Sequence, residues 1–133
     1  MQKVVFDTNV FISAFITSGG NAEKAYLLAV EGRIELYTSI PILTEMAGKL
    51  RKKFLWEDDK IIAVVKHISM VGNIAEPRFT LNILKDDPDN RVLECAEDSE
   101  ADLIVTGDKH LLALKKFEGT HILAITEFLE RII

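Results

Sequence analysis

The sequence predicts an α/β domain in which a parallel sheet is covered by helices on both faces. Three observations lead to it. Val4-Val5-Phe6 and Leu103-Ile104-Val105 are short, unbroken apolar runs, as expected of strands buried on both faces. Strand-like and helix-like stretches alternate along the chain, the pattern of a parallel sheet with crossover helices. Each apolar run is soon followed by an aspartate, Asp7 and Asp108. In an open α/β sheet, ligands gather beyond the carboxyl ends of the strands.

Taken in order, Val4–Phe6 is the first strand, and Val10–Ile16 is a short helix broken at Ser18-Gly19-Gly20. Asn21 is expected to cap a helix over Ala22–Glu31 that stops at Gly32. Ile34–Thr38 alternates as a short strand. Ser39 and Pro41 mark the next helix start, because proline is tolerated in a first turn. Ile42, Leu43, Met46 and Leu50 form one apolar face of that helix. Trp56-Glu57-Asp58-Asp59 opens a helix to about Val71, with Ile61, Ile62, Val64, Val65 and Ile68 turned toward the sheet. Gly72-Asn73 ends it, and Ile74-Ala75 adds a brief strand before Pro77. Phe79–Leu84 reads as loop with some extended character.

Asp86-Asp87-Pro88-Asp89-Asn90 is an acidic turn in which Pro88 holds Asp87 extended and admits a helix with Val92, Leu93 and Ala96 inward. Leu103–Thr106 is the second clear buried strand, and Lys109–Leu114 follows as a short helix. His121–Ala124 is the last strand, and Thr126 is expected to cap a terminal helix, Glu127–Ile132.

A chain of 133 residues with 48% hydrophobic content suits one domain spanning 1–133 with an ample core. No apolar run approaches the roughly 20 residues a bilayer span needs, and the N-terminus leads straight into a strand without a signal pattern. A single cysteine, Cys95, leaves no internal disulfide and fits a reducing cytosol. The net charge of -5 argues weakly against nucleic acid. That argument weakens if several acids are pooled in one place, since the rest of the surface is then close to neutral.

Four acids stand out by position. Asp7 and Asp108 follow two strands and meet at one sheet edge if those strands are parallel. Asp89 precedes Val92, Leu93 and Ala96 at helical spacing and shares their inward face. Glu45 lies on an amphipathic helix, next to Met46 and four residues before Lys49. Two carboxylates ~4 Å apart cost about 4 kcal/mol at an effective dielectric of 20, so four converging acids require protons or a cation. All-oxygen ligation without clustered His or Cys favours Mg²⁺ or Mn²⁺ over zinc. Each acid also has a plainer reading. Asp7 and Asp108 suit helix caps, Glu45 a solvated helix face, and the acidic turn ordinary turn chemistry. Glu94, Glu97, Asp98 and Glu100 read as a solvated face.

These segments together resemble the PIN-domain ribonucleases over nearly the whole chain. The resemblance rests on Val4-Val5-Phe6-Asp7-Thr8-Asn9-Val10 and Ser39-Ile40-Pro41-Ile42-Leu43-Thr44-Glu45. It extends through Asp86-Asp87-Pro88-Asp89-Asn90-Arg91-Val92-Leu93-Glu94-Cys95-Ala96 and Ala101-Asp102-Leu103-Ile104-Val105-Thr106-Gly107-Asp108. It is closest in character to the prokaryotic branch of toxin components from toxin–antitoxin pairs. The resemblance implies a three-layer α/β/α sandwich with a parallel sheet of about five strands. It also implies metal-dependent hydrolysis of RNA in the cytoplasm and a tendency to form homodimers. On this likeness Asp7, Glu45, Asp89 and Asp108 match the catalytic acids that hold Mg²⁺ or Mn²⁺. Thr8, Asn9 and Thr106 match supporting polar positions, and Asp86 stands where an accessory acid would assist. An antitoxin protein is the implied partner.

Lys49, Lys52, Lys53 and Lys109 flank the acids along the chain and are expected to hold an RNA backbone, although they also serve to balance surface acids. His110 reads as an exposed histidine with a possible hand in substrate or proton handling, His67 and His121 as structural, and Cys95 as a small core residue. Tyr37 and Phe54 read as core aromatics with the capacity to stack on bases. Two other enzyme-like readings fit less well. A haloacid-dehalogenase-like phosphatase wants a second aspartate where Asn9 stands, and a receiver domain wants an acidic pair after the first strand. No G-x-G-x-x-G or Walker A stretch is present. A non-catalytic RNA- or protein-binding module is the remaining alternative, and an Mn²⁺ titration separates it from a nuclease.

Overall fold

The computed structural model describes residues 1–132. Among them are six strands: β1 (Lys3–Phe6), β2 (Glu35–Ser39), β3 (Asn73–Ala75), β4 (Leu103–Val105), β5 (Lys116–Phe117) and β6 (Thr120–Leu123). They form one sheet in the order β3-β2-β1-β4-β6-β5. All pairings are parallel except the β5–β6 hairpin. The helices are α1 (Thr8–Ile16), α2 (Asn21–Val30), α3 (Ile40–Lys52), α4 (Asp58–Val71), α5 (Asp87–Ser99), α6 (Lys109–Leu114) and α7 (Ile125–Ile132).

The two apolar runs are the two central strands. Val4, Val5, Phe6, Ile104 and Val105 are fully buried, and burying such side chains stabilises by roughly 1.5–3 kcal/mol each. Side chains alternate across a strand, and helices cover both faces. On one face Phe6 meets Phe11 of α1 and Phe128 of α7 edge to face, and Tyr26 of α2 extends the aromatic cluster. α5 packs on β1, β2, β3 and β4. The register Val4↔Leu103, Val5↔Ile104, Phe6↔Val105 brings the carboxyl ends of β1 and β4 level. One more ladder bond, Asp7 N–H to the Val105 carbonyl at 3.0 Å, carries that alignment past the strand end. The functional consequence is that Asp7 and the segment 106–108 leave the sheet side by side.

The α3 start forms as its residues dictate: Ser39 accepts from the Ile42 N–H at 3.5 Å, with proline in the first turn. Its apolar face, Ile42, Leu43, Met46 and Leu50, is buried as expected.

Several local expectations are corrected. Asn21 does not cap α2 but is its first residue; Glu23 instead reaches back to the Gly19 N–H at 2.8 Å. Thr126 lies inside α7, which begins at Ile125, and Glu127 accepts from the Ala124 N–H at 3.5 Å. Ile62 is 53% exposed and faces away from the sheet. The extended residue of the acidic turn is Asp86 (φ -87°, ψ 117°) rather than Asp87. The Asp86 carbonyl accepts from the Asp89 and Asn90 N–H groups, which draws Asp87 into the first helical turn. Strand β5 was not expected. Lys115 (φ 61°) and Glu118 (φ 53°) adopt left-handed conformations without being glycine, so the turn chemistry carries no glycine signal at those positions.

Candidate active site

Asp7 is only 6% exposed and extended (φ -62°, ψ 153°), at the junction of β1 and α1. Its carboxylate makes no capping bond to α1. It accepts instead from the Thr106 hydroxyl at 2.7 Å. The same Thr106 oxygen accepts from the Asp108 N–H at 2.9 Å, and Thr106 is fully buried. One hydroxyl therefore fixes both strand-end acids relative to each other. Asp108 does cap its helix: Oδ1 accepts from the N–H groups of His110 (2.8 Å) and Leu111 (3.0 Å). That bond locks the carboxylate orientation, so capping and service in a site are compatible for Asp108.

Asp89 comes from the first turn of α5, is 4% exposed, and has a buried Oδ2 without a hydrogen-bond partner. A buried polar atom without a partner costs about 1–3 kcal/mol and calls for a cause. Glu45 approaches from α3, where Lys49 Nζ lies 3.1 Å from its Oε1. The same ammonium donates to Asn9 Oδ1 at 3.2 Å. Thr8 is buried, while Asn9 is exposed at the rim.

The charges of Asp108 and Glu45 reach Asp7, and those of Asp108, Asp86 and Asp7 reach Asp89. Burial is the largest cause raising the Asp7 carboxyl above its ordinary 3.8; the Thr106 hydroxyl and Thr8 N–H oppose it, and Asp108 and Glu45 add to it. Asp89 is pushed up to about 7, first by burial and then by the charges of Asp108, Asp86 and Asp7. Among the described residues, no three His, Cys, Asp or Glu side chains are gathered as a ready-made metal cage. Mg²⁺ does not require one, because it keeps several waters and takes one or two carboxylates. An all-oxygen donor set and a buried, unpartnered carboxylate oxygen fit that ion.

Two depressions flank the acids. One, about 240 Å³, is lined by Leu84, Lys85, Asp86 and His110. The other, about 290 Å³, is lined by Glu45, Gly48, Lys49, Lys52 and Lys53. Lys52, Lys53 and Lys109 are exposed; Lys49 is half-buried on Glu45. His110 is exposed, as expected. Cys95 is fully buried, and burial pushes its thiol up to about 12, which suits a core residue and not a nucleophile. His67 is tied through Nδ1 to the Tyr26 hydroxyl at 2.6 Å. Tyr37 is half-buried, but Phe54 is 45% exposed, against its reading as a core residue.

Glu94 departs most from expectation. It is 6% exposed, accepts from the Leu81 N–H at 2.8 Å and pairs with Arg91 at 2.9 Å. Asn90, fully buried, accepts from the Ile83 and Leu84 N–H groups and donates to the Leu84 carbonyl. Arg91 donates to the Leu81 carbonyl at 3.1 Å. These α5 side chains hold the segment that precedes Asp86. The available signal was spacing: Glu94 lies four residues after Asn90, one stripe over from the Asp89–Leu93 row.

Residues 3–110 match the model of the PIN-domain family. The chain is 40% identical over 118 residues to an uncharacterized protein of Methanocaldococcus jannaschii, a match covering 85% of this chain and 75% of that protein. Its fold is similar to a chain in the crystal structure of VapBC2 from Rickettsia felis bound to a DNA fragment from their promoter. The TM-score is 0.64 at 14% identity, covering 92% of this chain and 98% of that one. With the family model spanning most of its length and a relative this similar, the chain belongs to the PIN-domain family.

Proposed function

We propose that residues 1–133 form one PIN-like domain that acts as a metal-dependent endoribonuclease. Asp7, Glu45, Asp89 and Asp108 would hold Mg²⁺ or Mn²⁺. Such an ion supplies an activated water and charge neutralisation at the scissile phosphate. Membership in a family of nucleases supports the reaction class. The observation that carries the reading is Asp89, a buried carboxylate with an unpartnered oxygen and three acidic neighbours. An acid serving structure alone is expected to have a donor there.

The chain's own groups have separate tasks. Thr106 orients Asp7 and the Asp108 backbone together. The Asp108 cap stops that carboxylate from turning away. Without a cation the Asp89 carboxyl is raised to about 7, and a bound dication would favour its ionised, ligating form. Asp86 adds negative charge at its edge. Thr8 and Asn9 support the β1 end, and Lys49, Lys52, Lys53 and Lys109 would hold the RNA backbone. In-line attack by water leaves 5′-phosphate and 3′-hydroxyl ends. The resemblance to toxin components supports an antitoxin partner, a homodimeric assembly and a cytoplasmic site of action. For the last, the pertinent structural fact is limited: among the described residues, no helix is long and apolar enough to cross a membrane.

The test is incubation of the purified chain and its Asp89→Asn variant with structured and unstructured RNAs, in Mn²⁺ or in chelator. Cleavage by the wild type in Mn²⁺ alone, and none by the folded variant, is the expected result. Undiminished cleavage by the variant would overturn the role of Asp89, and cleavage in chelator would overturn the metal.

A further inference from the structure

We propose that Lys49 is a built-in counter-ion of the acidic centre, which a divalent cation has to displace from Glu45. The inference rests on the nuclease reading and adds a control on metal loading. Lys49 stands four residues after Glu45 on α3, so the two share a face. Its ammonium is 3.1 Å from Glu45 Oε1 and 3.2 Å from Asn9 Oδ1. Asn9 belongs to the first turn of α1, two residues beyond Asp7. Lys49 thus ties α3 to the first turn of α1, on the side of the centre where the charge of Glu45 reaches Asp7.

The pair is not an ordinary surface contact. The Lys49 and Glu45 side chains are 29% and 22% exposed, so water screens their attraction less than at an open surface. The centre they border holds a buried Asp7 and the unpartnered Oδ2 of Asp89. It is short of positive charge, and the ammonium supplies one unit of it. A lysine suits this duty because it is a point charge on a flexible stem, able to leave without breaking a planar two-bond fork. Lys49 also lines the depression it shares with Gly48, Lys52 and Lys53. Displaced from Glu45, it has that basic groove to move into. Arrival of the metal therefore frees an ammonium on the face where phosphates would lie, coupling metal loading to RNA affinity.

Mn²⁺ binding to the metal-free full chain, without RNA, reads this directly by calorimetry or by the spin-resonance signal of free Mn²⁺. Lys49→Met keeps the stem and removes the charge. It should tighten the Mn²⁺ Kd about tenfold, roughly 1.4 kcal/mol, and lower the melting temperature in chelator. Lys49→Arg keeps the charge and can form a two-bond fork on Glu45, so it should bind Mn²⁺ no more tightly than the wild type. If Lys49→Met does not fold, Lys49→Gln carries the same expectation. Wild-type binding with unchanged or weaker affinity in the neutral variants overturns the role of Lys49 alone. Failure of every form to bind Mn²⁺ overturns the metal reading and this inference with it.

Discussion

Replacing Asp89 with Asn should stabilise the metal-free protein, and should do so mainly at alkaline pH. In the folded chain the Asp89 carboxyl is raised from 3.8 to about 7. The fold therefore holds this proton where the unfolded chain has released it. Stability falls as pH rises from about 4 to about 7 and levels off above, because the fold must then accommodate a buried, unpartnered charge. Each pH unit is worth about 1.36 kcal/mol, so full expression would be about 4 kcal/mol. Solvent screening and relaxation at the rim reduce this, and we expect about 1–2 kcal/mol. For a domain of this size each kcal/mol moves the melting temperature by roughly 3–5 °C. Asparagine mimics the neutral acid, so thermal melts in chelator should favour the variant by about 4–8 °C at pH 8. The advantage should shrink to about a third at pH 5, where most of the difference in proton binding has yet to develop. Mn²⁺ should reverse the order at pH 8, since only the wild type gains a ligand. A variant that melts with or below the wild type at pH 8 refutes the reasoning. So does an advantage that is the same at both pH values, because it would not be electrostatic.

Two further outcomes follow from the hydrogen bonds. Thr106→Val removes the donor to Asp7 and the acceptor for the Asp108 N–H in a buried setting, and should cost about 2 kcal/mol in urea unfolding and weaken Mn²⁺ binding; Thr106→Ser should recover most of both. Asn90→Ala removes three bonds to residues 83 and 84 and should cost about 1–3 kcal/mol. Hydrogen exchange at the Ile83 and Leu84 amides is the direct measure, and unchanged protection there would show that Asn90 is not what holds the segment.

The centre of the sheet was legible because its signal is one-dimensional. Val4–Phe6 and Leu103–Val105 are apolar on every residue, and only strands covered on both faces need that. Helix α6 matches its expected span, Lys109–Leu114, because Asp108 caps it strongly. Asn21 and Thr126 failed as caps for a common reason. A side chain able to cap was assigned the duty, when Glu23 and Glu127 one turn in reached back instead. Glu94 was misjudged because it was grouped by charge with Glu97, Asp98 and Glu100. Its spacing four residues after Asn90 was the only hint, and the backbone of residue 81 that it serves lies outside α5. The strand-end acids could be placed from topology alone. That Thr106 joins them depends on side-chain directions that spacing does not specify.

The bond between Asp7 and Thr106 joins residues 99 apart in the chain. Contacts of such separation close late, after the intervening segments have collapsed around them. During synthesis, a nascent chain that has exposed the Asp7 strand carries an acid with nothing to meet. Only once β4 has left the ribosome and slotted beside β1 do the two aspartates share an anchor. A truncated product ending before Thr106 would thus lack the anchor that the two aspartates share.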